Sequence, residues 1–163
     1  MKTLIIYFSY GRNTARIADM LKSGLDAQTL EIKYLKEKKR RGAGKFIWAL
    51  FQMFHNRKPK IKPYEVDINA WDLIILGTPV WGSGPSPVMR SFLDQTKING
   101  KKIALFCTHA GSMGNCNDQL EAMLPGNTVL GKTDFLFKKG CDPEQLKQKA
   151  DEWLRGIFAL SSR

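Results

Sequence analysis

The sequence predicts an α/β protein built on a doubly wound, five-stranded parallel sheet with helices on both faces. Strand and helix patterns alternate along the chain, which is typical of right-handed crossovers between parallel strands. Residues 3–8, 71–78 and 102–108 are nearly continuous apolar runs. Such runs are expected of strands that helices cover on both faces.

The first part of the chain supplies two strands and a helix. Residues 3–8 form the first strand, and apolar residues at helical spacing between 17 and 25 predict the helix that follows. Asn13 and Thr14 are its candidate caps. Residues 27–33 form a less apolar strand, which we expect at an edge of the sheet.

Glycine, proline and capping residues divide the rest of the chain into further elements. The last helix opens on a near capping box. In order, these elements are strand 71–78, a glycine- and proline-rich loop, a helix from Ser86 and Pro87 to about residue 93, strand 102–108, a polar loop, a helix that ends near residue 124, strand 128–137 and a helix that opens with Asp142, Pro143 and Gln145.

Composition is typical of a soluble globular domain, with 163 residues, 43% hydrophobic residues and a net charge of +11. Cys107, Cys116 and Cys141 form no C-x-x-C pair, so we expect free thiols in a reducing compartment and a cytoplasmic protein. Cys107 ends a buried strand and is interpreted as a core thiol. Cys116 lies near a helix start, where its pKa could fall. His55 and His109 have no partners at ligand spacing, and we expect no metal site.

Three of the predicted strands are followed by unusual loops, at residues 9–14, 78–85 and 108–114. Ligands of doubly wound sheets bind outside the carboxyl ends of the strands. The first loop feeds a helix N-terminus, where backbone N–H groups and the helix dipole favour an anion such as phosphate. The second holds Trp81, which either closes the core or offers its face to a planar ligand. Together the loops suit a mononucleotide with a planar ring.

Three sequence blocks resemble the flavodoxin family, and the likeness extends over nearly the whole chain. They are residues 7–14 (YFSYGRNT), 71–82 (WDLIILGTPVWG) and 101–108 (KKIALFCT). The resemblance implies a single short-chain flavodoxin-like domain over residues 1–163. It also implies strand order 2-1-3-4-5 and FMN bound where that order reverses.

The resemblance assigns candidate FMN contacts to the three loops. The first loop is implied at the phosphate, the second against the isoalloxazine ring and the third along the pyrimidine edge of that ring. The candidate FMN-binding residues are Ser9, Tyr10, Gly11, Arg12, Asn13, Thr14, Thr78, Pro79, Val80, Trp81, Gly82, Thr108, His109, Ala110, Gly111 and Ser112.

The phosphate loop departs from the family pattern Ser-x-Thr-Gly-Asn-Thr at Gly11 and Arg12. If the family glycine serves a positive φ, Arg12 strains the turn or weakens binding. Alternatively, its guanidinium replaces the missing hydroxyl with a charge-assisted contact. The sequence leaves both open.

The resemblance implies an FMN-binding redox protein in which the flavin carries the electrons. It is compatible with an electron-transfer protein and with an FMN-dependent NAD(P)H oxidoreductase that reduces a quinone or another small acceptor. The charge of +11 favours an acidic redox partner protein over a basic one.

A basic insert at about residues 36–62 holds ten basic residues against one acid, Glu37. Its apolar run, 46–54, is too short to span a bilayer. The run is interpreted as a helix packed beside the flavin loops, with contact to an anionic membrane surface as the alternative. Nucleic-acid binding is disfavoured, because no recognised motif accompanies the basic residues.

Overall fold

A six-stranded sheet forms the centre of the computed structural model, which describes residues 1–35 and 58–161. Its strands are β1 (Thr3–Tyr7), β2 (Ala27–Glu31), β3 (Leu73–Trp81), β4 (Gly84–Pro85), β5 (Lys102–His109) and β6 (Thr128–Leu136). The helices are α1 (Asn13–Ser23), α2 (Pro87–Gln95), α3 (Cys116–Ala122) and α4 (Pro143–Ser161), with a 3₁₀ turn at Ile68–Ala70.

The strand order β2-β1-β3-β5-β6 confirms the predicted topology. These five strands pair in parallel, and counted without β4 they follow the order 2-1-3-4-5. The weak strand β2 lies at one edge, as predicted. Tyr7 at the end of β1 pairs with Glu31 on one side and Gly77 on the other, so the order reverses at β1.

Alternate residues of the strands enter two separate cores. In β3, Ile74 and Leu76 pack with α2 and α3, whereas Leu73 and Ile75 pack with α1 and α4. All four side chains are fully buried. The apolar runs are therefore continuous because helices cover both faces of the sheet.

The structure corrects the prediction of a loop at residues 78–85. Strand β3 continues to Trp81 and turns tightly into β4. Val80 pairs with Pro85 and Trp81 with Gly84. The two turn residues, Gly82 and Ser83, have φ values of 57° and 68°. Positive φ at both positions is the requirement of a type I′ hairpin turn. The sequence pattern did not indicate this turn, because serine seldom adopts a positive φ.

The start of α1 also differs from the prediction. Arg12 is the N-cap residue, and Asn13 and Thr14 already belong to the first helical turn. The Ser9 hydroxyl accepts a hydrogen bond from the Ala15 amide at 3.2 Å and so satisfies one amide of that turn.

Beyond β2, residues 33–35 run antiparallel to residues 60–62. The Leu35 amide donates to the Lys60 carbonyl at 2.9 Å, and the Lys62 amide donates to the Lys33 carbonyl at 2.8 Å. The predicted helix at about 45–54 and most of the basic insert lie outside the described residues. Among the helices described, none is long and apolar enough to cross a membrane.

Candidate cofactor site

The three loops singled out in the sequence meet at one edge of the sheet. They follow β1, β3 and β5, which are neighbours in the sheet, so their carboxyl ends lie side by side. The Phe8 amide donates to the Gly77 carbonyl at 3.1 Å and extends the β1–β3 pairing into the loops. The topology therefore creates the ligand edge expected of a doubly wound sheet.

The loop after β1 presents an open helix N-terminus to solvent. Gly11, Arg12 and Asn13 are exposed, while Ser9 and Tyr10 are half-buried. Apart from the Ala15 amide, which Ser9 satisfies, the amides of this first turn have no partner within the helix. Free amides and the helix dipole together suit a phosphate group.

Arg12 occupies the left-handed region of backbone space, with φ of 67° and ψ of −8°. A Cβ at the preceding Gly11 would meet no atom within 4 Å, and Gly11 has no positive φ. The backbone strain expected for this turn is therefore present, and it falls on Arg12. Gly11, which could adopt a positive φ at little cost, does not adopt one.

Trp81 stands at the end of β3 between two aromatic rings. Its ring centroid lies 5.4 Å from that of Tyr10 and 6.5 Å from that of Phe8, both in edge-to-face geometry. Phe8 contacts Tyr34 in the same way at 5.4 Å. Trp81 is only half-buried, so these contacts orient the ring without covering it.

Thr78 and Ser86 fasten the hairpin to α2. The Thr78 hydroxyl donates to Ser86 Oγ at 3.0 Å and accepts from the Ser86 amide at 3.0 Å. Ser86 Oγ in turn accepts from the Met89 amide at 3.3 Å and caps the helix. Thr78 is fully buried, so its hydroxyl supports the loop from below.

The loop after β5 packs on the hairpin through Gly114. A Cβ at Gly114 would lie 2.5 Å from Ser83 Cβ, and the Asn115 amide donates to the Ser83 carbonyl at 3.2 Å. Ala110, Gly111 and Ser112 are exposed between these anchors. This close approach holds the second and third loops together and leaves small residues facing outward.

His109 is the one predicted site residue with a charged partner that the sequence did not indicate. Its Nε2 lies 2.9 Å from Asp134 Oδ2 in β6, and Lys149 lies 3.4 Å from the other carboxylate oxygen. Burial, the largest influence, would raise the pKa of Asp134. The hydrogen bond from His109 and the charge of Lys149 outweigh it, so that the pKa lies below its usual value.

The predicted residues thus fall into two groups. Those of the outer group are exposed or half-buried: Ser9, Tyr10, Gly11, Arg12, Asn13, Pro79, Val80, Trp81, Gly82, Ala110, Gly111 and Ser112. The side chains of Thr14, Thr78, Thr108 and His109 are buried beneath them. The sequence analysis did not include Ser83, Gly114 and Asp134 in the site. Of the three, only Gly114, a glycine in a polar loop, could have been noticed from the sequence.

Cys116 does not have the lowered pKa that a place near a helix start could give it. Its hydrogen bond to Cys107, together with burial, raises the pKa instead. Cys107 is fully buried, as expected of a core thiol. In residues 1–35 and 58–161 no three His, Cys, Asp or Glu side chains are grouped so that they could hold a metal ion.

The geometry fits FMN on three structural counts. The open amides of α1 suit a phosphate, the half-buried Trp81 suits a planar ring, and the exposed small residues 110–112 would allow a ring edge to approach the backbone closely. These features belong to three loops that other hydrogen bonds hold in place.

Solved structures of similar fold include flavoproteins. A flavoprotein from Lactobacillus acidophilus, solved in complex with FMN, is 27% identical with a TM-score of 0.72, and the match covers 94% of this chain and 98% of that one. A putative flavoprotein from Bacteroides uniformis is 26% identical with a TM-score of 0.74, covering 91% and 96% of the two chains.

Flavodoxin 2 from Bacillus cereus shares the fold at 21% identity, with a TM-score of 0.65 and coverage of 98% and 99%. A comparison with curated proteins gave no match. Residues 1–140 match the family described as NADPH-dependent FMN reductase; the chain belongs to this family and is an FMN-dependent redox protein with a flavodoxin-like fold.

Proposed function

We propose that this protein is an NAD(P)H oxidoreductase that holds FMN at the carboxyl edge of its sheet and passes electrons to a small acceptor. The observation that carries the proposal is the asymmetry of the edge. Trp81 stands on one side, and the exposed small residues Ala110, Gly111 and Ser112 stand on the other. The FMN complex of the Lactobacillus acidophilus flavoprotein supports the choice of cofactor.

The phosphate of FMN is proposed at the start of α1. Ser9, Asn13 and the amides of residues 10–14 are the donors, and Arg12 adds a positive charge next to the bound anion. Thr14 is 1% exposed, so its proposed role is to position the turn and offer a hydroxyl from beneath it.

The isoalloxazine ring is proposed against the hairpin. Pro79, Val80 and Gly82 surround Trp81, whose edge contacts to Tyr10 and Phe8 fix its plane. Ala110, Gly111 and Ser112 follow the pyrimidine edge through their backbone, and the buried Thr78, Thr108 and His109 support these loops.

The loop at residues 110–115 contains no Phe, Tyr, Trp or His. An isoalloxazine ring packed on Trp81 is therefore without a second aromatic cover from this loop, and a nicotinamide ring can stack there. Bound FMN supplies the hydride-accepting chemistry, whereas the protein binds, orients and excludes water. A second face open to nicotinamide is part of this proposal, and it would favour an oxidoreductase over a carrier that exchanges single electrons through an edge.

The charge of +11 supports anionic partners of the same site. NAD(P)H carries phosphate groups, and a protein partner of this chain is proposed to be acidic, since opposite charges accelerate encounter.

The test is a titration of the purified protein with FMN, followed by flavin absorbance and by fluorescence quenching. Trp81→Ala is compared with Trp71→Ala, because both tryptophans are half-buried and Trp71 lies just before the start of β3, whereas Trp81 ends it. We expect Trp81→Ala to weaken FMN binding by about tenfold or more, from lost burial and ring packing. Trp71→Ala should leave the affinity within about twofold.

Oxidation of NADPH and NADH by the loaded protein then separates enzyme from carrier. Turnover with a quinone or ferricyanide supports the oxidoreductase. Tight FMN binding without NAD(P)H oxidation would instead identify an electron-transfer protein. Failure to bind FMN at tens of micromolar, which corresponds to a binding free energy weaker than about 7 kcal/mol, would overturn the proposal.

A further inference from the structure

A cleft of about 600 Å³ opens at the amino edge of the sheet, at the end away from the cofactor loops. It lies where β1, β3 and β5 begin, and these are the three strands whose carboxyl ends carry those loops. Its volume falls within the range of small-molecule sites, which is ~300–1,000 Å³. The cleft is therefore large enough for a small organic molecule and is separate from the proposed FMN site.

Two aromatic side chains line this cleft from opposite faces of the sheet. Trp71 packs against the core on the side of α2 and α3, whereas Phe158 packs against the core on the side of α1 and α4. Both side chains are half-buried, so the core holds each ring while part of the ring surface stays outside it. A planar apolar group in the cleft would remove more of both rings from water.

Two consecutive lysines of the lining have ammonium groups that backbone carbonyls hold in place. Lys101 Nζ donates to the Asn69 carbonyl at 3.0 Å and to the Trp71 carbonyl at 2.9 Å. Lys102 Nζ donates to the Ser161 carbonyl at 2.6 Å. Among the residues that the structure describes, these contacts use two of the three N–H groups of Lys101 and one of those of Lys102. Both ammonium groups therefore keep donors for an anion.

Asp72 is the acidic residue of this lining, and one of its oxygens is already engaged. Asp72 Oδ2 accepts a hydrogen bond from the Lys2 amide at 2.7 Å. Two lysines and one aspartate give the lining a net positive charge. Such a lining favours a ligand with a single negative charge, because the carboxylate of Asp72 repels further anionic groups.

We propose that the cleft at the amino edge is a second binding site, which takes a small aromatic acid with one carboxylate. The planar ring of the ligand lies against Trp71 and Phe158, and its carboxylate accepts hydrogen bonds from Lys101 and Lys102. Charge-assisted hydrogen bonds of this kind fix the orientation of the ligand, while ring packing adds to its affinity. The binding is non-covalent and does not depend on the flavin.

The test is a calorimetric titration of the protein with 2-naphthoate, in the presence of enough FMN to occupy the cofactor site. We expect a Kd for 2-naphthoate below about 1 mM. The amide 2-naphthamide has the same rings without the charge and should bind about tenfold more weakly, because it forms no charge-assisted hydrogen bonds with the lysines. Absence of 2-naphthoate binding, or equal affinity for the two probes, would overturn the proposal.

The two edges of the sheet are distinguished by a reciprocal pair of variants. Trp71→Ala should weaken 2-naphthoate binding by about tenfold, whereas Trp71→Phe keeps a ring and should retain most of the affinity. The matched control Trp81→Ala should leave the affinity for 2-naphthoate within about twofold, although it weakens FMN binding. If Trp81→Ala weakens 2-naphthoate binding and Trp71→Ala does not, the probe binds at the carboxyl edge and the proposal is wrong.

Lys102→Gln tests the carboxylate contact and also serves if Trp71→Ala fails to fold. It should bring the affinity for 2-naphthoate close to that for 2-naphthamide, because one ammonium group of the cleft is removed. The affinity for the neutral amide should stay within about twofold. Circular dichroism confirms that each variant is folded. Full preference for the acid in both Lys101→Gln and Lys102→Gln would contradict the proposed site.

Discussion

Thr14 and Thr108 share a buried hydrogen bond, with 2.8 Å between their hydroxyl oxygens, although 94 residues separate them. Thr14 belongs to the first turn of α1, and Thr108 lies near the end of β5. The bond therefore ties the phosphate loop to the loop proposed at the pyrimidine edge. Each hydroxyl has one hydrogen, so one O–H of the pair remains available to a ligand or to solvent.

We expect Thr14→Val and Thr108→Val each to lower the free energy of unfolding by about 1–3 kcal/mol, because each leaves a buried hydroxyl unpaired. The double variant should lose clearly less than the sum, since both polar groups are then gone. Urea denaturation of the four proteins measures this coupling. Strictly additive losses would show that the bond contributes nothing.

Gly114→Ala should weaken FMN binding by tenfold or more, an effect of about 1.4 kcal/mol. The new Cβ would lie 2.5 Å from Ser83 Cβ at a residue with φ of +53°, so the third loop must move away from the hairpin. Gly100→Ala is the matched control, because Gly100 also has a positive φ, its Cβ meets no atom within 4 Å, and it precedes β5 at the end away from the three loops. Fluorescence quenching of FMN compares the two, and equal affinities would contradict the proposed placement of the ring edge.

Arg12→Gly should stabilise the protein while reducing its affinity for FMN. Left-handed backbone costs a non-glycine residue about 1–2 kcal/mol, and the extra chain entropy of glycine offsets part of the gain. Arg12→Lys keeps the charge and the strain, so it should bind FMN more tightly than Arg12→Gly does. Thermal melts and FMN titrations at two salt concentrations separate the effects, and a less stable Arg12→Gly protein would refute the strain argument.

Cys141 should react first with a thiol reagent in the native protein. It is half-buried, whereas Cys107 and Cys116 are fully buried and their mutual hydrogen bond raises the pKa of Cys116. One thiol should therefore label quickly at pH 8 and the other two only as the protein unfolds. Mass spectrometry of the labelled peptides identifies the order, and rapid labelling of Cys116 would contradict the geometry.

Acid should destabilise the protein partly through Asp134. Its pKa is lowered from the ordinary value of 3.8, so its contribution to stability is present above that value and is lost as the pH falls through the lower, folded pKa. Asp134→Asn should therefore show a shallower loss of stability below about pH 4 than the parent. Denaturation midpoints at several pH values provide the measurement, and parallel curves would exclude the effect.

The alternation of strands and helices was predictable because burial on both faces leaves a strong local pattern. Leu73–Leu76 illustrates it, since every residue of this run is fully buried. The resemblance supplied the strand order and the cofactor. The alternation of elements depends on residues that are close in sequence, and the strand order and the cofactor follow from sequence blocks that recur in a family.

The remaining features depend on backbone conformation or on register. Ser83 and Arg12 adopt positive φ, which their residue types disfavour, so neither the hairpin nor the helix cap was visible. The His109–Asp134 contact depends on how β5 aligns with β6, and that register shifts at an irregularity between Ile103 and Ala104. No local sequence pattern encodes such an alignment. The predictions for residues 36–57 stay predictions.

The short ladder at the base of the insert has a consequence for how this protein can change. Leu35 and Lys60 are joined by a backbone hydrogen bond of 2.9 Å, so the chain returns almost to the point where it left the sheet. Doubling the length of a loop closed in this way adds only about 0.6 kcal/mol. A change in the length of the segment between these two residues, which carries most of the positive charge, therefore costs little in loop-closure entropy.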